Sequence, residues 1–199
     1  MINKLTSNEV HEKVRRRYAE ISSSIKDRFK YPTGKEGLLM LGYDLPVAGT
    51  IPEGIIGSFC GVGNPFSLGP VQTGDIVLDI GCGGGFDVVV ANHFTGNEGR
   101  VYGIDLVPEM AEKATRSIMS MELSNCEIQV AASEALPFDD DSFDVIISNG
   151  AIYLSPLKAK SLSEVYRTLK PGGHFQFADV VLNDDLPEKV TACFDGWSG

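Results

Sequence analysis

An aspartate two residues ahead of three alternating glycines is the feature of this chain with the clearest chemical use. The stretch Ile76-Val77-Leu78-Asp79-Ile80-Gly81-Cys82-Gly83-Gly84-Gly85-Phe86 is an apolar, β-branched run that carries one acid and ends in a burst of glycines. Glycines in that place tolerate positive φ and let a ligand meet the backbone with no Cβ in the way. Spacing and charge narrow the ligand. A dinucleotide loop reads G-x-G-x-x-G, its third glycine packing the helix on the strand. Here that position is Phe86, and Gly81, Gly83 and Gly85 follow G-x-G-x-G instead. A carboxylate at Asp79 sits badly beside a pyrophosphate but suits an ammonium or a sulfonium. A second acid, Asp105, closes the short run Val101-Tyr102-Gly103-Ile104. It stands about 20 residues past the glycines, where nucleotide-binding α/β folds place a carboxylate on the ribose hydroxyls. Ahead of Pro108, Asp105 also has a plain structural use at a helix N-terminus. The two uses are compatible.

Strands must end where these acids and glycines stand. Continuous apolar runs predict strands over Ile76–Ile80, Val101–Ile104, Glu127–Ala131, Phe143–Ser148 and His174–Val180. Helical patterns alternate with them at Phe86–Phe94, Pro108–Glu122 and Pro156–Leu169, the last with Ser155 as its N-cap. Alternation of this kind means an α/β fold built on a parallel, doubly wound sheet. Upstream, Thr6 and Glu9 form a capping-box pair. They open a helix expected to run to about Phe29, with Val10, Val14, Tyr18, Ile21 and Ile25 on one face. That stripe predicts a helix lying over the cleft, with Tyr18 or Tyr31 toward the ligand. Tyr31-Pro32-Thr33-Gly34 breaks it, and the Gly- and Pro-containing stretch from Lys35 to Phe66 reads as a cap folding over the site. Two units are expected: an N-terminal helical cap over 1–70 and a ligand-binding core over 71–199.

Composition removes several classes. A formal net charge of −10 speaks against a nucleic-acid partner, which needs a basic stripe. The one basic cluster, Arg15-Arg16-Arg17, reads as a solvated helix face. No apolar run approaches the roughly 18–20 residues of a membrane span, so no membrane partner is expected. The N-terminus lacks an apolar signal core, and four irregularly spaced cysteines fit a reducing, cytoplasmic compartment better than a disulfide framework or zinc site. The expected partner is a small molecule.

Motif by motif, the chain resembles the class I S-adenosylmethionine methyltransferases. Asp79-x-Gly81-x-Gly83-x-Gly85 is similar to their first motif. Glu134-Ala135-Leu136-Pro137-Phe138, with Ser142-Phe143-Asp144-Val145-Ile146, is similar to their adenine loop and fourth strand. Leu169-Lys170-Pro171-Gly172-Gly173 is similar to the turn before their fifth strand. The resemblance implies a Rossmann-like, mostly parallel sheet, here lacking its last two strands, because Leu182–Gly199 is too short to supply them. It implies S-adenosylmethionine as cofactor, held by Asp79, Gly81, Cys82 and Gly83 in the loop and by Asp105 at the ribose. Leu106 and Met110 would lie on the adenine. Ala132 replaces an acid that many relatives aim at the adenine amino group, which leaves that work to Ser133 and Glu134. Asn149 would stand near the transferred methyl.

Within that superfamily, Gly61-Val62-Gly63-Asn64-Pro65, Ile147–Pro156 and Asp179-Val180-Val181-Leu182 resemble the arsenite methyltransferases. Those hold trivalent arsenic with thiolates, soft ligands for a thiophilic centre whose lone pair attacks the methyl. No general base is then required, and none of His11, His93 and His174 stands beside a motif. Two of the implied thiol positions are lost: Gly150 and Val62 stand where the relatives carry cysteine. Cys60 and Cys193 are the remaining candidates for the acceptor, while Cys82 and Cys126 read as inert small residues. A small organic acceptor and a cofactor-binding module without activity stay open as alternatives. An NAD-type dehydrogenase is disfavoured by Asp79 and Phe86.

Overall fold

In the computed structural model, which describes residues 5–25, 28–43 and 49–181, the continuous apolar runs become the inner strands of a sheet. The strands are β1 (Ile76–Ile80), β2 (Arg100–Asp105), β3 (Cys126–Val130), β4 (Phe143–Asn149) and β5 (Leu169–Ala178). All pair in parallel, in the order β3-β2-β1-β4-β5. The helices are α1 (Ser7–Ser23), α2 (Gly34–Met40), α3 (Glu53–Ile56), α4 (Phe86–Thr95), α5 (Pro108–Ser120) and α6 (Lys158–Thr168).

Strand alternation sorts the core into two layers. Val77 and Val101 face Val88 and Ala91 of α4 and Ala114 and Ile118 of α5. Leu78, Ile80, Ile104 and Ile146 face the other way, toward Val165 of α6. Val77, Leu78, Val101 and Ile146 are wholly buried, as strands covered on both faces must be. The strand order reverses at β1, between β2 and β4, which opens a crevice at the carboxyl ends of these strands. Gly81, Asp105 and Asn149 stand at that rim.

Three element boundaries and the placement of the cap differ from the sequence expectation. The capping box of α1 is present: Glu9 N–H donates to Thr6 Oγ1 at 3.3 Å and Thr6 N–H to Glu9 Oε2 at 2.7 Å. However, the helix stops at Ser23, well short of Phe29. Ser22, Ser23 and Ser24 follow one another there, and Ser22 donates its hydroxyl to the Ala19 carbonyl at 2.7 Å, the kind of side-chain competition that weakens a helix. Helix α6 begins at Lys158, and Ser155 is not its N-cap. Residues Ile152–Leu154 form a 3₁₀ turn instead, and Pro156 holds Ser155 in an extended conformation. Strand β5 starts at Leu169, not His174. The Pro171-Gly172-Gly173 stretch is a bulge inside it, since pairing jumps from Phe143–Leu169 to Val145–His174.

The fourth difference concerns the cap. Leu38, Tyr43, Ile55 and Phe59 pack on Phe86, Val89 and Val90 of α4, with Tyr43 and Phe59 edge-on to the Phe86 ring at 5.5 and 5.1 Å. Leu38, Tyr43, Ile55 and Phe59 thus buttress the helix behind the glycine loop, while Cys60 in the same stretch lies on the cavity wall. The roof is α1. Ile21 packs with Val107 and Met110, and Val10 and Val14 with Leu106 and Leu154. Arg15 donates to the Leu106 carbonyl at 3.4 Å, so the basic run is not simply a solvated face.

Candidate active site

The glycine loop is tied to the end of β2. Gly81 and Cys82 both donate their N–H groups to the Ile104 carbonyl, at 2.8 and 2.9 Å. Gly83 N–H donates to Asp105 Oδ2 at 2.9 Å, and Val107 N–H to Asp105 Oδ1 at 2.8 Å. A carboxylate has about four acceptor positions, so Asp105 keeps acceptor capacity for a diol. Gly81 and Gly83 adopt φ of +77° and +52°. A Cβ at Gly81 would overlap that of Ala151, whereas Gly83 faces open space.

Beside this loop lies a cleft open to solvent that encloses a cavity of about 100 Å³. Ile80, Gly81, Gly83, Asp105 and Asn149 line its sheet side. Leu106, Met110, Ala132, Ser133 and Glu134 form one end, and His11, Val14 and Tyr18 of α1 close it from above. Glu134 is held there by three donors: Ser155 Oγ at 2.6 Å, His11 Nε2 at 3.2 Å and Ser133 Oγ at 3.4 Å. Burial opposes its ionisation, but the hydrogen bonds from Ser155, its own backbone and His11 outweigh that and hold the carboxyl below its ordinary range. The His11 contact was not foreseen. Its signal lay in the sequence all the same, since His11, Val14 and Tyr18 fall on one helical face.

Three expected ligand residues stand differently from the expectation. Asp79 does not line the cavity. It is 2% exposed beneath the loop, and its Oδ2 has no hydrogen-bond partner. The Cys82 side chain turns into the core beside Val77 and Val88. Asn149 lines the cavity, but its amide is occupied: Oδ1 accepts from Val62 N–H at 2.8 Å and Gly63 N–H at 3.1 Å, while Nδ2 donates to Asp87 Oδ2 at 3.0 Å and the Gly63 carbonyl at 2.9 Å. It fastens the 61–63 loop to the sheet.

On the acceptor side, Cys60 lies on the cavity wall. Burial, then the nearby Asp105 and Asp87, push its thiol up to about 12. The two positions that lack the expected thiols are neighbours: a Cβ at Gly150 would stand 3.4 Å from the Val62 methyls, and Gly150 has φ +72°. Cys193 lies outside the described residues. The Tyr18 hydroxyl lies beside that of Tyr153. Tyr31 is not on the cavity wall and donates instead to the Cys60 carbonyl at 3.0 Å.

The acids around the loop give the ligand-free protein an unusual pH response. Burial raises Asp79 well above the carboxylate range. It also lifts Asp87 to about 6, against hydrogen bonds from Tyr43 and Asn149. Asp105 likewise rises to about 6, against the N–H groups of Val107 and Gly83. Unfolded aspartate titrates near 3.9. The folded state therefore binds more protons between about pH 4 and 6, and stability rises as pH falls through that window. Glu134, Asp144 and Glu164 are depressed, and their contribution is lost at still lower pH. The ligand-free protein should melt several degrees higher at pH 5 than at pH 7.5 by scanning calorimetry. Asp79→Asn should raise the pH 7.5 value. A melting temperature that falls steadily from pH 7.5 to 5 would contradict the assignment.

Cleft and glycine loop together define an α/β protein built for a nucleoside-containing ligand. Residues 72–197 match a methyltransferase domain family, and the chain belongs to that family, whose methyl donor is S-adenosylmethionine. It is 34% identical to an arsenite methyltransferase of Halobacterium salinarum, across 96% of this chain and 54% of that protein. It is 33% identical to an aklanonic acid methyltransferase of a Streptomyces species, across 55% of this chain and 50% of that protein. Its fold is similar to the crystal structure of an arsenic(III) S-adenosylmethionine methyltransferase from Chlamydomonas reinhardtii. That match has a TM-score of 0.67 at 36% identity and covers 73% of this chain and 51% of that one. The chain thus spans about half the length of these relatives. Among the described residues no helix is long and apolar enough to cross a membrane.

Proposed function

We propose that the chain is the cofactor-binding part of an S-adenosylmethionine-dependent methyltransferase acting on a small molecule, with trivalent arsenic the leading acceptor. The observation that carries the cofactor assignment is the glycine loop, tied to Asp105 at the cavity wall, with the orphaned, buried Oδ2 of Asp79 beneath it. That arrangement lacks a cation, and a sulfonium with an ammonium fits it. Asp105 would hold the ribose hydroxyls, Leu106 and Met110 would cover the adenine, and Ser133 and Glu134 would face its edge. When bound, the cofactor supplies a methyl group activated on sulfur. Val14, Tyr18 and His11 exclude water from above, and the walls fix the line of approach, which is the main catalytic resource of such a site. Net charge −10 supports a small-molecule rather than nucleic-acid acceptor, and the free thiols of Cys60, Cys82 and Cys126 support a reducing, cytoplasmic setting.

The arsenic reading rests on the names of the relatives and on Cys60 at the cavity wall. A second reading, a small organic acceptor, is favoured by Val62 and Gly150 standing together where thiols would be needed and by the aklanonic acid relative. An assay with arsenite and methyl-labelled cofactor separates them. Loss of an outer-shell partner alone costs a metal site about 10–100-fold, so Cys60→Ser should reduce arsenic methylation at least that much. Methylation that survives both Cys60→Ser and Cys193→Ser excludes thiolate-bound arsenic. Transfer to organic acceptors alone would establish the second reading.

A further inference from the structure

Glu134 ends a buried chain of hydroxyls at one end of the cavity. Its Oε1 accepts from Ser155 Oγ at 2.6 Å, and Ser155 Oγ accepts in turn from Ser161 Oγ of α6 at 2.9 Å. Ser133 Oγ lies 2.8 Å from Ser161 Oγ. Glu134, Ser155 and Ser161 are 6%, 5% and 0% exposed, so the carboxylate is fixed from below. Its further side-chain partner comes from the roof. His11 Nε2 meets the same Oε1 at 3.2 Å, across 123 residues of chain. An ionised carboxylate only accepts, so Nε2 carries the proton. Val10 and Val14, on either side of His11 in α1, pack on Leu106 and Leu154, and both leucines line the cavity. The imidazole is thereby seated over the cavity wall rather than left on a free surface.

The two oxygens of Glu134 are not used alike. A carboxylate has about four acceptor positions. Ser155 and His11 take two on Oε1, and the residue's own N–H takes a third. Oε2 receives from another side chain only Ser133 Oγ at 3.4 Å, beyond the roughly 2.5–3.0 Å of an ordinary O–H···O bond. A buried carboxylate on a cavity wall with an acceptor position open calls for a donor from the ligand. We propose that His11 is a positioning residue for the base of the nucleoside ligand. From the roof it engages Oε1 and shuts water out, so that Oε2 is kept for an exocyclic amino group and the site takes a 6-aminopurine over a 6-oxopurine. The inference rests on the cofactor reading above and adds to it the residue that makes the base selective. An amino group donates to Oε2. A carbonyl oxygen in its place sets acceptor against acceptor beside a buried charge, the case in which a polar site discriminates most strongly. Without His11 an Oε1 position opens and water reaches the carboxylate, which weakens the contrast because hydrogen bonds are stronger in a dry site.

Titration calorimetry with S-adenosylhomocysteine and S-inosylhomocysteine, which differ in having an amino group or a carbonyl oxygen on the base, reads the selectivity as a ratio of Kd values. The wild type should bind the adenine ligand about 10–150 times more tightly, the range for one hydrogen bond to a charged group. His11→Phe keeps a ring in the roof and removes the N–H, and should bring the ratio to about a third of the wild-type value or less. His11→Gln, whose amide N–H can reach Oε1, should restore most of it. Val14→Ala loosens the roof without touching Glu134, and should weaken both ligands alike with the ratio unchanged. A wild-type ratio near one overturns the proposal. So does a ratio that His11→Phe leaves intact, or one that His11→Gln leaves as low as His11→Phe. Should His11→Phe fail to fold, His11→Ala reads the same ratio. Binding of neither ligand by the wild type would sink the cofactor reading itself, a result distinct from binding both without preference.

Discussion

Gly81→Ala should weaken S-adenosylmethionine binding by two orders of magnitude or more. The position holds φ +77°, and a Cβ there would run into Ala151, which stands on the opposite wall of the rim. Strained left-handed backbone costs on the order of 1–3 kcal/mol, and forcing a methyl into occupied space costs a further 1–3 kcal/mol or so. The loop can escape by shifting, but its N–H groups at 81 and 82 are then pulled off the Ile104 carbonyl. Cofactor geometry is lost with them. Gly74→Ala is the matched control. It has φ +90° with open space around it, in the turn before β1 and far from the rim. It should lower stability by a similar strain and leave affinity alone. Calorimetric titration and chemical denaturation of both variants separate the two effects. Wild-type affinity in Gly81→Ala would mean that the loop does not meet the ligand.

Asp105→Ala is expected to cost about 1.5–3 kcal/mol of cofactor binding, the range for hydrogen bonds to a charged group. That is roughly a 10–150-fold rise in Kd. The loss should be the same for S-adenosylhomocysteine, because the ribose is common to both. Asp105→Asn should fall between, since one amide oxygen can accept from Gly83 or from a hydroxyl while its NH₂ opposes the Val107 N–H. An unchanged Kd in Asp105→Ala would remove the ribose role and leave only the structural one, the tie between loop and strand.

The parts of the fold that could be read from sequence are those set by local pattern. Four of the five strands were placed to within a residue, because buried parallel strands announce themselves as unbroken apolar runs. The glycine loop was legible because positive φ at Gly81 and Gly83 demands glycine. Asp79 was misplaced by neglect of a simple period. Strand side chains alternate, and Val77 faces α4 and α5, so Asp79 two residues on turns to the same side and lies under the loop instead of in the cleft. Asp87 carried a weak signal, an acid inside an apolar helix, and its partners Tyr43 and Asn149 are 44 and 62 residues away in the chain. The His11–Glu134 contact spans 123 residues. No local pattern reports such pairings, which depend on how α1 docks. The packing of Leu38, Tyr43 and Phe59 on α4 was illegible for the same reason, since Gly and Pro content marks a non-regular segment without saying which surface it covers.

Equilibrium binding of S-adenosylmethionine and of NAD to the same protein tests the cofactor assignment most directly. The buried acids, the Phe86 departure from the dinucleotide pattern and the ribose role proposed for Asp105 predict one site per chain for S-adenosylmethionine, lost on Gly81→Ala, with NAD binding far more weakly. Equal or tighter binding of NAD would contradict it.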